Sequence, residues 1–336
     1  MRIVLLILLL SAFAPAQWNF ATSESTASLR GIHNAGGGVI WASGTKGTVL
    51  RSEDDGYMWQ TCNMPPETAK LDFRAAYGWD ANHAAVMSSG TGDASRLYAT
   101  EDGGATWKLL FHNPDPDGFW DALAFRAKTG VILGDPVNGR FVIYRSVDGG
   151  QHWKRDESAG LAADPQKAGA FAASNSSLVI LPDSTVLFGT GGLAGPHVYR
   201  SNKPGEWTSA PVPMSGGKQT TGIFSVAFRD SSHGVAVGGD YEHPDETSGT
   251  AAFTSDGGKT WQAATKFPSG YRSAVAYDSH LHAWIAVGTN GTDLSRDDGH
   301  TWKRIGSGNW NALSLPWVAG PKGQIASLDV ASPLLK

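Results

Sequence analysis

Thr100 to Trp107 reads TEDGGATW, Ser146 to Trp153 reads SVDGGQHW, and Thr254 to Trp261 reads TSDGGKTW. Two further copies are SEDDGYMW at Ser52 to Trp59 and SRDDGHTW at Ser295 to Trp302, while SNKPGEW at Ser201 to Trp207 is one residue short and lacks the aspartate. The pattern Ser/Thr-x-Asp-x-Gly-x-x-Trp has the chemistry of a hairpin turn. A carboxylate accepts backbone N–H groups across the reversal, and glycine tolerates the positive φ that a tight turn needs. The tryptophan opens the outgoing strand with a large apolar face, its indole N–H left to find a carbonyl. Asp54, Asp102, Asp148, Asp256 and Asp297 are therefore read as structural, together with Trp59, Trp107, Trp153, Trp207, Trp261 and Trp302. One or two carboxylates per copy are too few for a calcium loop, and no metal site is expected.

The six tryptophans follow one another at 48, 46, 54, 54 and 41 residues, the length of one four-stranded propeller blade. A second segment recurs upstream of the turns: an aromatic or Leu, a variable residue, a small residue, then apolar alternation. Its copies are LRGI at Leu29, FRAA at Phe73, WDAL at Trp120, FAAS at Phe171, FSVA at Phe224, YRSA at Tyr271 and WNAL at Trp310. Seven copies predict an all-β, seven-bladed propeller of antiparallel blades. The blades are placed at 29–65, 71–114, 119–156, 170–214, 222–265, 271–305 and 309–336. The last is completed by 17–25, where Trp18 in QWNFATSE is placed much like Trp302. Such closure removes free sheet edges.

Met1 and Arg2 precede an unbroken apolar run, Ile3 to Leu10, and Ala14-Pro15-Ala16 follows. This is the pattern of a secretory signal peptide, too short to span a bilayer, with cleavage expected near Ala16. The expected mature chain, 17–336, is one periplasmic or secreted domain and a monomer, with no transmembrane segment. Losing Arg2 leaves 26 basic against 31 acidic residues, which does not favour nucleic acid. Forty-two glycines and thirteen tryptophans suit many short strands joined by tight turns. The lone cysteine, Cys62, can form no internal disulfide and is read as a packed thiol.

The turn pattern resembles the BNR or Asp-box repeat of sialidases, related glycosidases and several non-enzymatic propellers. Longer blocks, GDPVNGRFVIYRSVDGG from Gly134, AFAASNSSL from Ala170 and GIFSVAFRDSSHGVAVGGDY from Gly222, are similar to the photosystem II stability/assembly factor-like family, including its non-photosynthetic bacterial members. That resemblance implies protein binding during complex assembly, without chemistry. No Gly-rich dinucleotide loop is present, and no cofactor is expected.

Aligning the seven inner strands puts one residue per blade at a common height: Arg30, Arg74, Asp121, Ala172, Ser225, Arg272 and Asn311. In a closed ring, Arg272, Asn311, Arg30 and Arg74 make a basic arc flanked by Asp121. Converging guanidiniums need an anion or carboxylates among them, and arginine offers carboxylate a bidentate fork. Two readings follow. Either the arginines pair with acids such as Asp72, Asp121, Asp135 or Asp240 and fill the tunnel, or they bind an anionic ligand or acidic partner. Asp135, Asp240 and Tyr241, in inter-strand loops, join the candidate site at the channel mouth. The loops Met87 to Arg96 and Gly239 to Thr250 are expected to shape that face.

The arginine arrangement also resembles the sialidase carboxylate clamp. However, the Phe-Arg-Ile-Pro signature is absent, FRAA at Phe73 being a partial echo, and no Tyr and Glu pair is assignable. The first functional expectation is thus an exported binding or assembly-type module for a protein or anionic ligand. The alternative is a sialidase-like or other glycan-active hydrolase on the same scaffold, with its catalytic residues unassigned.

Overall fold

The computed structural model describes residues 17–335, so the expected signal peptide, 1–16, lies outside it. It shows seven antiparallel blades of four strands arranged in a ring. Blade 1 runs through Leu29–Gly36, Val39–Gly44, Val49–Ser52 and Gln60–Thr61, from the channel outward. Blades 2, 3, 5 and 6 repeat this order, their inner strands being Phe73–Gly78, Trp120–Arg126, Thr221–Phe228 and Ala274–Asp278.

The second strand of each blade is packed on both faces, which explains its unbroken apolar runs. In AAVMS (Ala84–Ser88), GVAVGGD (Gly234–Asp240) and AWIAVG (Ala283–Gly288) every residue is buried. The core consists of seven apolar clusters, each shared by two consecutive blades. Trp41 of blade 1 meets Val86 and Tyr98 of blade 2, and so on round to Trp317 of blade 7 against Leu29 and Leu50 of blade 1.

Ring closure falls on Trp18–Ala21, which pairs antiparallel with Ile325–Leu328 in the register Trp18↔Leu328 to Ala21↔Ile325. This strand is the outer edge of blade 7, beyond Ala312–Ser314 and Trp317–Ala319. Trp18 is buried, meets Trp310 edge-on at 5.6 Å, and donates its indole N–H to Thr292 Oγ1 of blade 6.

The five intact turns share one hydrogen-bond pattern. At Thr100 to Trp107 the Thr100 hydroxyl donates to Asp102 Oδ1 and accepts the N–H of Gly104, while Asp102 Oδ1 accepts the N–H of Thr106. The same bonds recur at Asp54, Asp148, Asp256 and Asp297. All five carboxyls are held below their ordinary range, Asp102 at about 2, with hydrogen bonds from Thr106 as its main cause. In the shortened turn Pro204 and Gly205, the latter at φ 82°, reverse the chain between Lys203 and Glu206. Trp207 there donates to Asp156 of blade 3.

Blade 4 departs from expectation. Its inner strand is Leu178–Ile180, seven residues after the FAAS segment at Phe171. The chain from Arg155 to Leu178 instead carries a 3-10 turn, Ala159–Leu161, and a short strand, Ala168–Gly169, which joins Gly191–Gly192 and the sheet of blade 5. FAAS belongs to an irregular segment crossing the channel mouth. Cys62 packs between blades 1 and 2, where burial pushes its thiol up to about 12. No helix among the described residues is long and apolar enough to cross a membrane.

Candidate functional site at the channel mouth

Inner strands start, and second strands end, at the same face of the ring. There a cavity of about 470 Å³ opens over the channel. What lines it depends on the phase of each inner strand. In blades 1, 2 and 3 the ladder slips at Leu29/Gly31, Phe73/Ala75 and Trp120/Ala122. The skipped residues are Arg30, Arg74 and Asp121, and all three line the cavity. A bulge re-aims the side chain that it leaves unpaired. Leu29, Phe73 and Trp120, the apolar heads of these segments, stay in the core.

Blades 5 and 6 do the opposite, and the irregular segment before blade 4 adds a third ring. Phe171, Phe224 and Tyr271, the heads of their segments, face the cavity. Phe171 stacks on Phe224 at 3.9 Å, and Tyr271 meets Phe224 edge-on at 4.8 Å. Tyr241, at the rim and 47 % exposed, extends this wall. With Asn311 of blade 7 the lining is thus a polar arc, blades 7-1-2-3, facing an aromatic arc, blades 4-5-6.

Three expected members are displaced. Arg272 is one residue out of phase with the cavity and is sealed inside the wall, where it meets Asp293, Ser269, Asn290 and the carbonyl of Tyr271. No bulge turns it outward, so the two-residue alternation of a strand gives the cavity to Tyr271 and Ser273 instead. Ser225 is displaced by a bulge one residue earlier: the slip at Ile223/Ser225 presents Phe224, and Ser225 is buried against Ser176 and Val275. Asp240 is also buried, bridging Lys218 at 3.0 Å and His243 at 3.0 Å. Ala172 reaches the site from the irregular segment, not from a strand, and offers it a backbone carbonyl.

The arginines differ from one another. Arg74 donates Nε to Asp72 at 2.8 Å and Nη1 to the carbonyl of Ala172 at 2.9 Å. Arg30 has no carboxylate partner among the described residues, and its buried Nε has no acceptor. Burial lowers its pKa, with the Arg74 charge adding to the effect. Asn311 is occupied, donating to the carbonyl of Leu29 at 2.8 Å.

Two carboxyls complete the lining. Asp121 is 1 % exposed and its Oδ2 has no donor; burial raises its pKa well above the ordinary range, and the Asp135 charge adds to the rise. Asp135 Oδ1 accepts the Ala170 N–H at 2.9 Å, yet burial pushes this carboxyl up to about 6. Burial thus biases both carboxyls toward their protonated form.

No family model matches the chain. Among solved structures, YCF48 from Cyanidioschyzon merolae is 18% identical, with 93% of this chain and 99% of that chain aligned at a TM-score of 0.65. YCF48 bound to D1 peptide is 16% identical, covering 94% of this chain and 97% of that one at 0.64. The fold is that of YCF48. An ancestral GH74 enzyme shares it too, at 13% identity and a TM-score of 0.61 over 93% of this chain and 46% of its own. A xyloglucanase from a Paenibacillus species is 24% identical in an alignment 288 residues long that covers 72% of this chain. The aligned part is about a quarter, 26%, of that relative's length.

The likeness to YCF48 extends over the ring, whereas the cavity belongs to this chain's own side chains. The aromatic arc escaped sequence reasoning even though its members head the repeated segments. A one-residue change of phase between blades 1–3 and blades 5–6 leaves no mark in composition or spacing.

Proposed function

We propose that this chain is an exported binding propeller that holds an acidic segment of a partner protein in the channel-mouth cavity. One observation carries the reading: Arg30 stands in a concave site with an unmet Nε and no carboxylate of its own. The charge of Asp72, whose bond goes to Arg74, offsets only part of the desolvation of this guanidinium, and a ligand carboxylate would bond it directly. The facing wall of Phe171, Phe224 and Tyr271 suits an apolar side chain beside that carboxylate. A YCF48 structure of the same fold contains a D1 peptide, which supports a peptide ligand over a free ion. Export rests on the Ile3 to Leu10 apolar run and Ala14-Pro15-Ala16, and the turns are assigned to the Asp-box class on their common hydrogen bonds.

The test is calorimetric titration of the purified protein with capped peptides containing Glu-Phe, against the same peptides with Gln for Glu. Binding that requires the carboxylate and drops about tenfold or more in Arg30→Gln supports the reading, the loss expected for one charged hydrogen-bond donor. Equal binding of both peptides overturns it.

A second reading is favoured by Asp121 and Asp135, two carboxyls of raised pKa in one cavity, the kind of environment that yields a general acid. It makes the chain a glycan-active hydrolase, in line with the xyloglucanase relative. Release of reducing ends from xyloglucan or of phenol from aryl glycosides and sialosides, lost in Asp121→Asn, would establish it in place of the binding role.

A further inference from the structure

A second groove, of about 400 Å³, adjoins the cavity: Asp117, Pro136, Pro165 and Gln219 line it, and it shares Phe119, Asp135, Ala170 and Phe171 with the cavity. The arginines stand on blades 1 and 2, the acids on blade 3 and its approach. Along this path the charge changes sign, from Arg30 and Arg74 through Asp121 and Asp135 to Asp117.

We propose that the site has two poles and takes an extended peptide carrying both charges, its acidic group on Arg30 and a lysine or arginine side chain on Asp121 and Asp135. The inference rests on the peptide-binding reading above and deepens it.

Three observations carry it. Asp121 lines the cavity at 1 % exposure, and its buried Oδ2 has no donor. Neither Asp121 nor Asp135 has an ion-pair partner among the described residues; the neighbouring cation, Arg74, is engaged by Asp72 and the carbonyl of Ala172. The adjoining groove, finally, offers a chain a second recess beside Asp135, which a compact anion would not use.

Charge balance points the same way. Asp72 bonds Arg74, whereas Arg30 at one end of the site and Asp121 and Asp135 at the other have no ion-pair partner among the described residues. A carboxylate entering alone adds a negative charge beside the acids in a low-dielectric site, whereas one bringing an ammonium three or so residues along adds none in net and gives the acids a cation. Such complementarity decides between partners more than it raises affinity.

Two capped peptides test this: Gly-Glu-Phe-Gly-Lys-Gly and its twin with norleucine for lysine, titrated calorimetrically into the purified protein at pH 7. The lysine peptide is expected to bind about tenfold tighter, and Asp121→Asn/Asp135→Asn to abolish the preference while still binding the norleucine twin. Asp135→Asn alone, which leaves buried Asp121 in place, carries the same expectation should the double variant fail to fold. Equal affinities for the two peptides, or a preference that survives Asp135→Asn, overturn the inference while leaving the acidic-peptide reading intact. No binding of either peptide overturns both.

Discussion

Arg272 Nε lies 2.7 Å from Asp293 Oδ2, and neither side chain reaches solvent. Ser269 and Asn290 take further N–H groups of the guanidinium. The charge at Arg272 is thus part of the wall between the cavity and blade 6. Removing one partner leaves the other buried and uncompensated. Asp293→Ala is expected to cost about 3–5 kcal/mol in chemical denaturation, and the fraction that stays folded should bind the Glu-Phe peptide as the parent does.

Phe224 is the centre of the aromatic arc, touched by Phe171, Tyr241 and Tyr271. Phe224→Ala is expected to destabilise by about 3–5 kcal/mol. Phe171→Ala, at a half-buried position on an irregular segment, should cost less in stability and show its effect in binding. In calorimetry its preference for Glu-Phe over Glu-Ala peptides should fall several-fold; an unchanged preference would remove the aromatic arc from the site.

Trp18 and Trp59 both close outer strands, but Trp18 is buried while Trp59 is half-exposed with an indole N–H that has no partner. Trp18→Ala is expected to cost about 3–5 kcal/mol, because it also opens the seam between the first and last strands. Trp59→Ala should cost less than half as much. Thermal unfolding of the two variants checks the order.

The acid pair and His33 act on stability in opposite directions. Asp135, raised to about 6, binds its proton more tightly folded than unfolded, so its ionisation withdraws stability as pH rises from 4 to above 6. Asp121 adds to this slope. Its charged or titratable neighbours are Asp135 and Arg74; Arg30, Tyr271 and Asn311 line the same cavity.

His33, stacked on Tyr77 and lowered to about 4 by burial, is held neutral and withdraws stability as pH falls below about 6.5. The difference between parent and Asp135→Asn is therefore the readout. The variant should gain on the order of 3 kcal/mol at pH 7, about half of that at pH 5 and little at pH 3.5. A constant offset across that range would deny the raised carboxyl.

The Asp-bearing turns and their tryptophans were legible without coordinates, because each turn is held by bonds within eight consecutive residues. From their spacing followed the blades, and from Trp18 the seam that closes the ring. The site was legible only in part. Arg30, Arg74, Asp121, Asn311, Asp135 and Tyr241 line the cavity, whereas Arg272, Ser225 and Asp240 turned out to be buried elsewhere.

The reason lies in the strand itself. Its side chains alternate with period two, so a single bulge exchanges wall for cavity. Whether a ladder slips depends on how the whole blade packs against its neighbours. Local sequence thus determined seven blades and a closed ring. Packing between blades alone decided that arginines and acids would line one half of the channel mouth and aromatic rings the other.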